Sequence, residues 1–509
     1  SLYNNYFPPF KAGVEAGCST VMTGFHSLNG VPCTANEFLF KSVLRNEWNF
    51  DGLTISDCNA VSDLIEHGYA KDIKDAAKKA FCSGVDMNMA GEYYNDSLPQ
   101  LIESNNITEE LLDSAVLKVL TLKYLLGLFD NPYVDPKDET CYCSPEHLSK
   151  AEQIAEECLV LLKNDNHTLP LKRNARIALI GPYADDKINI LGAWSCLEET
   201  DKNISILDGI KEFANCHVNY ASGCSIKNAD KCTDAELSEA ISVANNSDVI
   251  VLALGEPANE SGEAKSKTSL RLNRNQLHLW DRLYETGKPL VVLISSGRPL
   301  IIGEYKNKAD SIMYIWQLGT CTGRAVAKNL FGICNPSGHL TVSVPCTEGQ
   351  IPVNYNHPNT GHPPLGRVWY ESKYIDSPIE PDYCFGFGLS YTTFQLSDLE
   401  LSTDKITSNG VIRIDLKVKN IGNCDGKAVI QLYVNDVTAS IVRPVKELKR
   451  FKKITIKAGE TIDTDFTISG ADLGFYNNQG KFLIEPGKFK LYIGQSSCDN
   501  SLSAEFYII

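Results

Sequence analysis

Apolar residues in the first 130 positions alternate between short continuous runs and helix-spaced patterns. The short runs, typical of buried strands, recur about every 33 residues, the spacing of β-α-β units. They cover residues 20–25, 53–56 and 85–89. Helical patterns cover residues 35–48, 73–82, 98–103 and 108–128. A closed (β/α)8 barrel takes eight such units, and residues 1–130 contain only three of them. We therefore interpret residues 1–130 as the C-terminal part of a longer barrel.

Residues 131–150 are turn-rich and polar, and we interpret them as a linker. Residues 151–345 again alternate helical and strand patterns, which predicts a doubly wound α/β domain. Its predicted helices are 151–162, 234–245, 275–285 and 322–330, and its predicted strands are 177–182, 249–254, 290–294 and 312–315.

The C-terminal third of the chain changes to a strand pattern. Residues 346–394 are rich in Pro, Gly, Asn and Tyr with little periodicity, and we interpret them as an ordered connector. In residues 395–509 apolar and polar side chains alternate with period two, and turn residues separate the runs. This pattern predicts a β-sandwich, so the fold class is α/β and β multidomain.

Composition excludes several classes of partner. The net charge of −15 disfavours nucleic acid, because phosphate would be repelled. No apolar run approaches the length of a membrane span. The 17 cysteines are scattered without framework spacing, and no Cys/His cluster has zinc-site spacing. Such usage favours free thiols in a reducing compartment, so we expect a cytoplasmic protein with no metal and no cofactor, although a few disulfides remain compatible with it.

Asp57 lies at a position typical of catalytic carboxylates. Asp57 ends the predicted strand 53–56, and catalytic groups of parallel α/β barrels lie at the C-terminal ends of strands. The alternative is that Asp57 only caps the next helix.

The stretch Phe50-Asp-Gly-Leu-Thr-Ile-Ser-Asp57 resembles the nucleophile motif of glycoside hydrolase family 3. The flanking Ser27-Leu-Asn-Gly-Val-Pro32 and Ser83-Gly-Val-Asp-Met-Asn-Met89 resemble the same family, as does Phe385-Gly-Phe-Gly-Leu-Ser-Tyr-Thr-Thr-Phe394. The similarity extends to the C-terminus and is greatest to bacterial periplasmic-type β-glucosidases. It implies a (β/α)8 barrel, an α/β sandwich and a fibronectin type III-like domain, with Asp57 as the nucleophile.

A retaining glycosidase needs a second carboxylate as acid/base. The family carries it on a loop of the second domain, and the loop after strand 249–254 holds Glu256, Glu260 and Glu263. Ser261-Gly-Glu263-Ala-Lys-Ser-Lys267 matches the family context best, so Glu263 is the first choice and Glu256 the second. Without the resemblance, a solvated acidic loop would be the better interpretation. Lys267 stands where relatives often have Arg.

The resemblance also implies substrate-binding positions. Met22 corresponds to a methionine that lines the sugar pocket in many relatives, although plain barrel core is an equal alternative. Phe25 replaces a tyrosine that would hydrogen-bond the nucleophile, and Cys58 replaces a tryptophan that would stack on the sugar. Trp194 is a stacking candidate for a second sugar, but we expect it to be buried.

The resemblance implies a retaining exo-acting β-glycosidase, specifically a β-glucosidase that acts on β-linked oligosaccharides or glycosides. A β-xylosidase or arabinosidase on the same scaffold is the alternative, and a non-catalytic carbohydrate-binding fragment is another. In the family about five further barrel units precede the segment seen here and carry other sugar-binding groups. We therefore expect this chain to need the front of the barrel, which a second chain could supply.

Overall fold

A computed structural model of the protein describes residues 1–195, 200–215, 217–227 and 231–509. The chain forms two compact units, Ser1–Thr140 and Cys141–Ile509. Within these described residues no helix is both long and apolar enough to cross a membrane.

The first unit places short strands among helices. Its strands are β1 (Thr20–Met22), β2 (Ser27–Leu28), β3 (Val31–Pro32) and β4 (Leu53–Ile55). Its α-helices are α1 (Phe7–Glu15), α2 (Asp63–Glu66), α3 (Ile73–Ser83), α4 (Tyr93–Glu103) and α5 (Glu109–Leu125), with π-helices at Leu2–Tyr6 and Phe38–Glu47 and 3-10 turns at Cys33–Ala35 and Pro136–Cys141. The predicted strand 85–89 is reduced to one parallel bridge between Ile55 and Met87.

Strand β4 is the centre of this unit. It pairs in parallel with β1 on one side and bridges Met87 on the other. Leu53 and Thr54 are buried. Gly52, just before β4, has no room for a side chain, since an added Cβ would lie 2.4 Å from the Ser19 carbonyl oxygen. This close approach lets β4 run directly beside the segment that leads into β1.

A buried ionic network fixes the N-terminal end of β4. Asp86 Oδ2 accepts hydrogen bonds from Arg45 Nη2 at 2.8 Å and from the Thr54 amide at 3.0 Å. Lys118 Nζ donates to Asp86 Oδ1 at 2.5 Å. Arg45 also donates to the carbonyls of Phe50 and Gly52. The network joins two helices, β4 and the segment after α3, so that the register of β4 is determined by charge as well as by packing.

The second unit begins with a six-stranded sheet in the order β5-β10-β9-β8-β6-β7. Only β5 runs antiparallel to its neighbour. The strands are β5 (Val160–Asn164), β6 (Ile177–Ile180), β7 (Val218–Ala221), β8 (Val249–Gly255), β9 (Leu290–Ser295) and β10 (Ser311–Tyr314). The helices are α6 (Pro145–Cys158), α7 (Ile206–Phe213), α8 (Asp234–Asn245), α9 (Arg274–Tyr284) and α10 (Thr322–Leu330), and 3-10 turns lie at Asp165–His167, Asn189–Leu191, Thr200–Lys202, Ala258–Glu260, Lys306–Lys308 and Glu348–Gln350.

Two predictions for this part are wrong. The helix predicted over 151–162 ends at Cys158, and the next residues form the edge strand β5. Val160, Leu161 and Leu162 are all buried, and a continuous apolar run of this length fits a strand as well as a helix. The strand β7 was missed because Asn219 and Tyr220 interrupt its apolar pattern. The sheet therefore has two more strands than predicted.

The C-terminal part is a β-sandwich of two sheets, with strand orders β11-β13-β16 and β12-β20-β19-β14-β15. Ile412, Ile414, Leu416 and Val418 of one sheet pack in a shared core with Leu491 and Ile493 of the other, and a small two-stranded sheet, β17-β18, stands apart. The elements are β11 (Phe394–Leu401), β12 (Lys405–Ile406), β13 (Val411–Asn420), β14 (Gly426–Asp436), β15 (Glu447–Ile456), β16 (Thr461–Ser469), α11 (Gly470–Leu473), β17 (Phe475–Tyr476), β18 (Phe482–Leu483), β19 (Gly487–Gly494) and β20 (Leu502–Ile508).

One disulfide ties the connector to the sandwich. Cys384 is bonded to Cys498, with their Cα atoms 6.1 Å apart. Twelve other cysteines of the described residues are free thiols. Cys196 and Cys216 lie outside the described residues, as does the side chain of Cys141. Most thiols are therefore free, as expected, but one pair is a structural bond.

Candidate functional site

Asp57 lies two residues beyond the C-terminal end of β4 and is half-buried. Its Oδ1 accepts a hydrogen bond from the Cys58 amide at 2.6 Å. The preceding Ser56 is buried and fixed from the neighbouring strand position, since the Met89 amide donates to its Oγ at 2.8 Å. The carboxylate is thus held on a rigid strand end, and no other hydrogen bond to it occurs among the described residues.

The helix-cap interpretation of Asp57 does not hold. The next helix, α2, begins at Asp63, and Ser62 is its N-cap residue. Asp57 instead starts a turn in which the Ala60 amide donates to its carbonyl oxygen. Asn59 follows with φ of +61°. The turn presents Asp57 at the edge of the strands instead of using its side chain to satisfy helix amides.

The residues predicted to bind substrate lie near the ends of β1 and β4. Met22 ends β1 and is 52% exposed, so it does not belong to the core of the described residues. Phe25 is also exposed, and its carbonyl is hydrogen-bonded to His67 Nε2 at 2.9 Å. Cys58 is exposed and carries a free thiol. All three side chains are accessible, and their roles in binding remain predictions.

The glutamates in the loop after β8 differ in burial and in the groups that contact them. Glu256 is only 2% exposed, and its two carboxylate oxygens are bound by different groups. Lys267 Nζ lies 2.9 Å from Oε1, and Ser296 Oγ donates to Oε2 at 2.7 Å. Arg298 Nε lies 3.2 Å from Oε2, close enough for an ion pair. The Glu256 carboxylate therefore belongs to a buried ionic network.

The carboxylates of Glu260 and Glu263 have fewer contacts than that of Glu256. Glu260 Oε2 accepts from Lys267 Nζ at 2.6 Å. The side chain of Glu263 is exposed and makes no hydrogen bond or ion pair with any residue of the described part of the chain. Of the three glutamates, only Glu263 presents a carboxyl group that is not already bound by a cation.

Trp194 lies beside the Glu263 loop. The indole is 71% exposed, so the expectation that it is buried is wrong. Gly262 has φ of +104°, and an added Cβ there would be 3.5 Å from Trp194 Nε1 and 2.9 Å from the Ala193 Cβ. An exposed indole beside Gly262, the residue before Glu263, offers a flat apolar surface at the edge of the loop.

The residues that hold this loop in place could not be recognised from the local sequence. Ser296 and Arg298 follow β9, and Gln276 lies on α9, so they are distant from the loop in sequence. The buried Gln276 bonds both backbone groups of Gly255, with Nε2 donating to the carbonyl at 2.8 Å and Oε1 accepting from the amide at 2.9 Å. The order of the strands could have indicated these contacts, because β9 neighbours β8 in a parallel sheet and the loops after the two strands meet.

No group of His, Cys, Asp and Glu in the described residues is arranged to hold a metal ion.

Comparisons with known proteins extend over nearly the whole chain. Residues 1–122 match the glycosyl hydrolase family 3 N terminal domain, residues 159–391 the glycosyl hydrolase family 3 C-terminal domain, and residues 428–497 a fibronectin type III-like domain. These matches confirm the predicted fold class.

Individual relatives agree with these matches. A periplasmic beta-glucosidase of Salmonella typhimurium is 42% identical over 97% of this chain and 68% of its own length. A beta-xylosidase of Formosa agariphila is 38% identical over 97% of this chain and 69% of its own length. Among solved structures, a mutant beta-glucosidase from Listeria innocua in complex with laminaribiose has a TM-score of 0.96 and 39% identity, covering 100% of this chain and 70% of the other. The chain thus spans about two thirds of these relatives.

Proposed function

Because the chain belongs to glycosyl hydrolase family 3, we propose that it is a retaining exo-acting β-glucosidase that releases glucose from the non-reducing end of β-glucosides. The observation that carries the proposal is the placement of Asp57 at the C-terminal end of β4, with one carboxylate oxygen held by the Cys58 amide. The similarity to beta-glucosidases from Salmonella typhimurium and Listeria innocua supports the same substrate class.

In this mechanism Asp57 attacks the anomeric carbon and forms a glycosyl ester, which water then hydrolyses. The amide of Cys58 stabilises the carboxylate and fixes its orientation for attack. The strand end and the hydrogen bond to Ser56 restrict its motion, so little orientational entropy is lost when the sugar binds.

Glu263 takes the acid/base role. It protonates the departing oxygen in the first step and removes a proton from water in the second. Its exposed, uncommitted carboxyl group supports this assignment, whereas the oxygens of Glu256 are already bound by Lys267, Ser296 and Arg298. Trp194, next to the loop, is suited to contact the leaving group.

A β-xylosidase is the second candidate, and the 38% identity to the Formosa agariphila beta-xylosidase favours it. The two sugars differ at C6, where glucose carries a hydroxymethyl group and xylose does not. A pocket that excludes this group would prefer xylosides. The ratio of kcat/KM for matched aryl β-glucosides and β-xylosides separates the two functions.

The first unit supplies three parallel strand positions, at β1, β4 and Met87, whereas a closed barrel has eight strands. We propose that the active form includes further barrel strands and that a second polypeptide can supply them. Unpaired strand edges are poorly stable in water, and apolar side chains of α5 such as Leu117 and Leu125 are exposed.

The test measures aryl β-glucoside hydrolysis by the chain alone and by the chain coexpressed with the N-terminal barrel segment of the Salmonella relative. We expect activity in the second case, together with a stable complex on size-exclusion chromatography. A 2-deoxy-2-fluoro glucoside should label Asp57 covalently. Sugar binding without any hydrolysis, in both preparations, would favour a non-catalytic carbohydrate-binding protein.

A further inference from the structure

The loop that carries Glu263 is anchored on both sides of that residue by one side chain. Arg298, which follows β9, donates through Nη2 to the carbonyl oxygen of Glu260 and, at 2.9 Å, to the carbonyl oxygen of Lys265. These carbonyls lie three residues before and two residues after Glu263. The guanidinium therefore closes the segment 260–265 into a short loop with Glu263 near its tip.

The guanidinium is itself held in place. Its Nε lies 3.2 Å from Glu256 Oε2, and the Arg298 amide donates to Ser296 Oγ at 3.1 Å. Ser296 Oγ in turn donates to Glu256. Since the side chain of Arg298 is only 18% exposed, water competes weakly for these contacts. Its planar guanidinium reaches both carbonyls through Nη2 while Nε faces the Glu256 carboxylate, a spread of positions that the compact ammonium of a lysine does not cover.

Other contacts also hold the loop, and two of them span Glu263. Lys267 joins Glu256 to Glu260 through its ammonium. Gln317 Nε2 donates to Ser261 Oγ at 3.1 Å. The Lys267–Glu260 bond spans Glu263 through side chains, and the Lys265 amide donates to the Gly262 carbonyl at 3.3 Å within the loop itself. Among the described residues outside the loop, only Arg298 bonds to its backbone on both sides of Glu263.

We propose that Arg298 is a positioning residue for the acid/base step, because it holds the backbone around Glu263 and so sets where the Glu263 carboxyl group lies. This inference rests on the proposed function and on the assignment of Glu263. It assigns a specific mechanical role to a residue that touches neither Glu263 nor any reacting atom. A carboxyl group displaced by about 1 Å transfers a proton much less efficiently.

The first test is kinetic and uses Arg298→Lys, which keeps the charge beside Glu256 but loses the fork. We expect kcat/KM for poor leaving groups, such as alkyl β-glucosides, to fall about 10- to 100-fold. For a dinitrophenyl β-glucoside, which needs no protonation, kcat/KM should change less than about twofold. A uniform loss for all leaving groups would show a merely structural role and would overturn the proposal.

The matched control is Arg176→Lys. Arg176 precedes β6 and bonds Asp248, which precedes β8, so it is an ion-paired arginine at the opposite edge of the same parallel strand set. We expect its leaving-group dependence to match the wild type. If Arg176→Lys reproduces the Arg298→Lys pattern, the effect comes from general loosening of the domain and the proposal is wrong.

The second test does not depend on activity. In hydrogen exchange measured by mass spectrometry, Arg298→Lys should increase exchange in peptides that cover residues 258–266 by about tenfold, with no change in β8 or β9. Unchanged exchange in that loop would overturn the anchoring role. If the wild-type chain hydrolyses no β-glycoside even when it is coexpressed with the barrel segment of the Salmonella relative, the proposed function fails, while the exchange measurement still decides whether Arg298 holds the loop.

Discussion

Glu256 and Glu263 follow the same strand, β8, but the first carboxylate is buried against Lys267 and Arg298 while the second is exposed. The sequence offered both as acid/base candidates. The difference arises because Glu256 directly follows β8 and its amide bonds the Ser295 carbonyl, so its side chain lies between the loops of two strands. Glu263 lies at the tip of the loop, where a substrate could reach it.

Replacing Glu263 by Ala should reveal the acid/base role. We expect kcat/KM for poor leaving groups to fall about 10²- to 10⁴-fold, since the proton donor is lost. Activated aryl glucosides should still form the glycosyl ester, but its hydrolysis should slow. Added azide should restore turnover and give a β-glucosyl azide, because azide attacks without a general base. If Glu256→Ala gives this pattern and Glu263→Ala does not, the assignment within the loop is reversed.

Replacing Glu256 by Gln should instead lower stability. The amide cannot balance the charges of Lys267 and Arg298, and breaking a buried ion pair on one side costs about 3–5 kcal/mol. We expect a lower midpoint for the unfolding transition of the α/β domain in urea. Glu260→Gln is the control, because its carboxylate is more exposed and, among the residues that the structure describes, binds only Lys267. Equal effects of the two variants would contradict the structural role of Glu256.

Asp57→Asn should remove glycosidase activity, because an amide is a poor nucleophile. We expect kcat to fall by about 10³-fold or more with unchanged folding. Asp51→Asn is a suitable control, since Asp51 is an exposed carboxylate at the other end of the same strand. Turnover of an aryl glucoside by Asp57→Asn at a near-normal rate would refute the nucleophile assignment.

Asp86→Asn tests the ionic network of Arg45, Asp86 and Lys118 at the N-terminal end of β4. The variant leaves Arg45 and Lys118 without a balancing charge in a site where Asp86 is 6% exposed, so we expect a loss of about 3 kcal/mol. The first unit should become more sensitive to proteases. The control is Asp75→Asn, which removes the ion-pair partner of Lys79, because the Asp75 side chain is more exposed than that of Asp86. A protease pattern identical to that of the control would argue against the network.

Glu157 predicts a pH dependence of stability. Hydrogen bonds from Lys427 and then Lys453 lower the pKa of Glu157 below the ordinary glutamate value. A depressed pKa in the folded state adds stability above the unfolded pKa, and this stability is lost as the pH falls. The stability difference between wild type and Glu157→Gln should therefore be full near pH 7 and shrink between about pH 5 and pH 3. A difference that grows on acidification would contradict this.

The sequence predicted correctly that Asp57 follows a strand, because a short apolar run between Gly52 and a polar turn has few alternatives to a buried strand. It failed for residues 159–162, where an apolar run continues directly from a helix and local pattern cannot show where pairing begins. It also failed for Trp194, since exposure of a large aromatic depends on the neighbouring loops. The predicted domain boundaries and the compartment stay predictions.

The choice between Glu256 and Glu263 could not be made from local sequence. It depends on Ser296 and Arg298, which reach the loop only through the pairing of β8 with β9. Long-range pairing of this kind leaves no trace in the periodicity of either segment. Resemblance ranked the two residues, and the contacts of Glu256 agree with that ranking, which stays a prediction.

The bond between Cys384 and Cys498 has a consequence for the integrity of the molecule. The two cysteines are 114 positions apart, and nearly the whole β-sandwich lies between them. A protease that cuts a surface turn of the sandwich would therefore produce two peptides that still migrate as one species without a reducing agent. Damage of this kind would not release the C-terminal fragment, so the sandwich could be nicked in an oxidising environment and stay assembled.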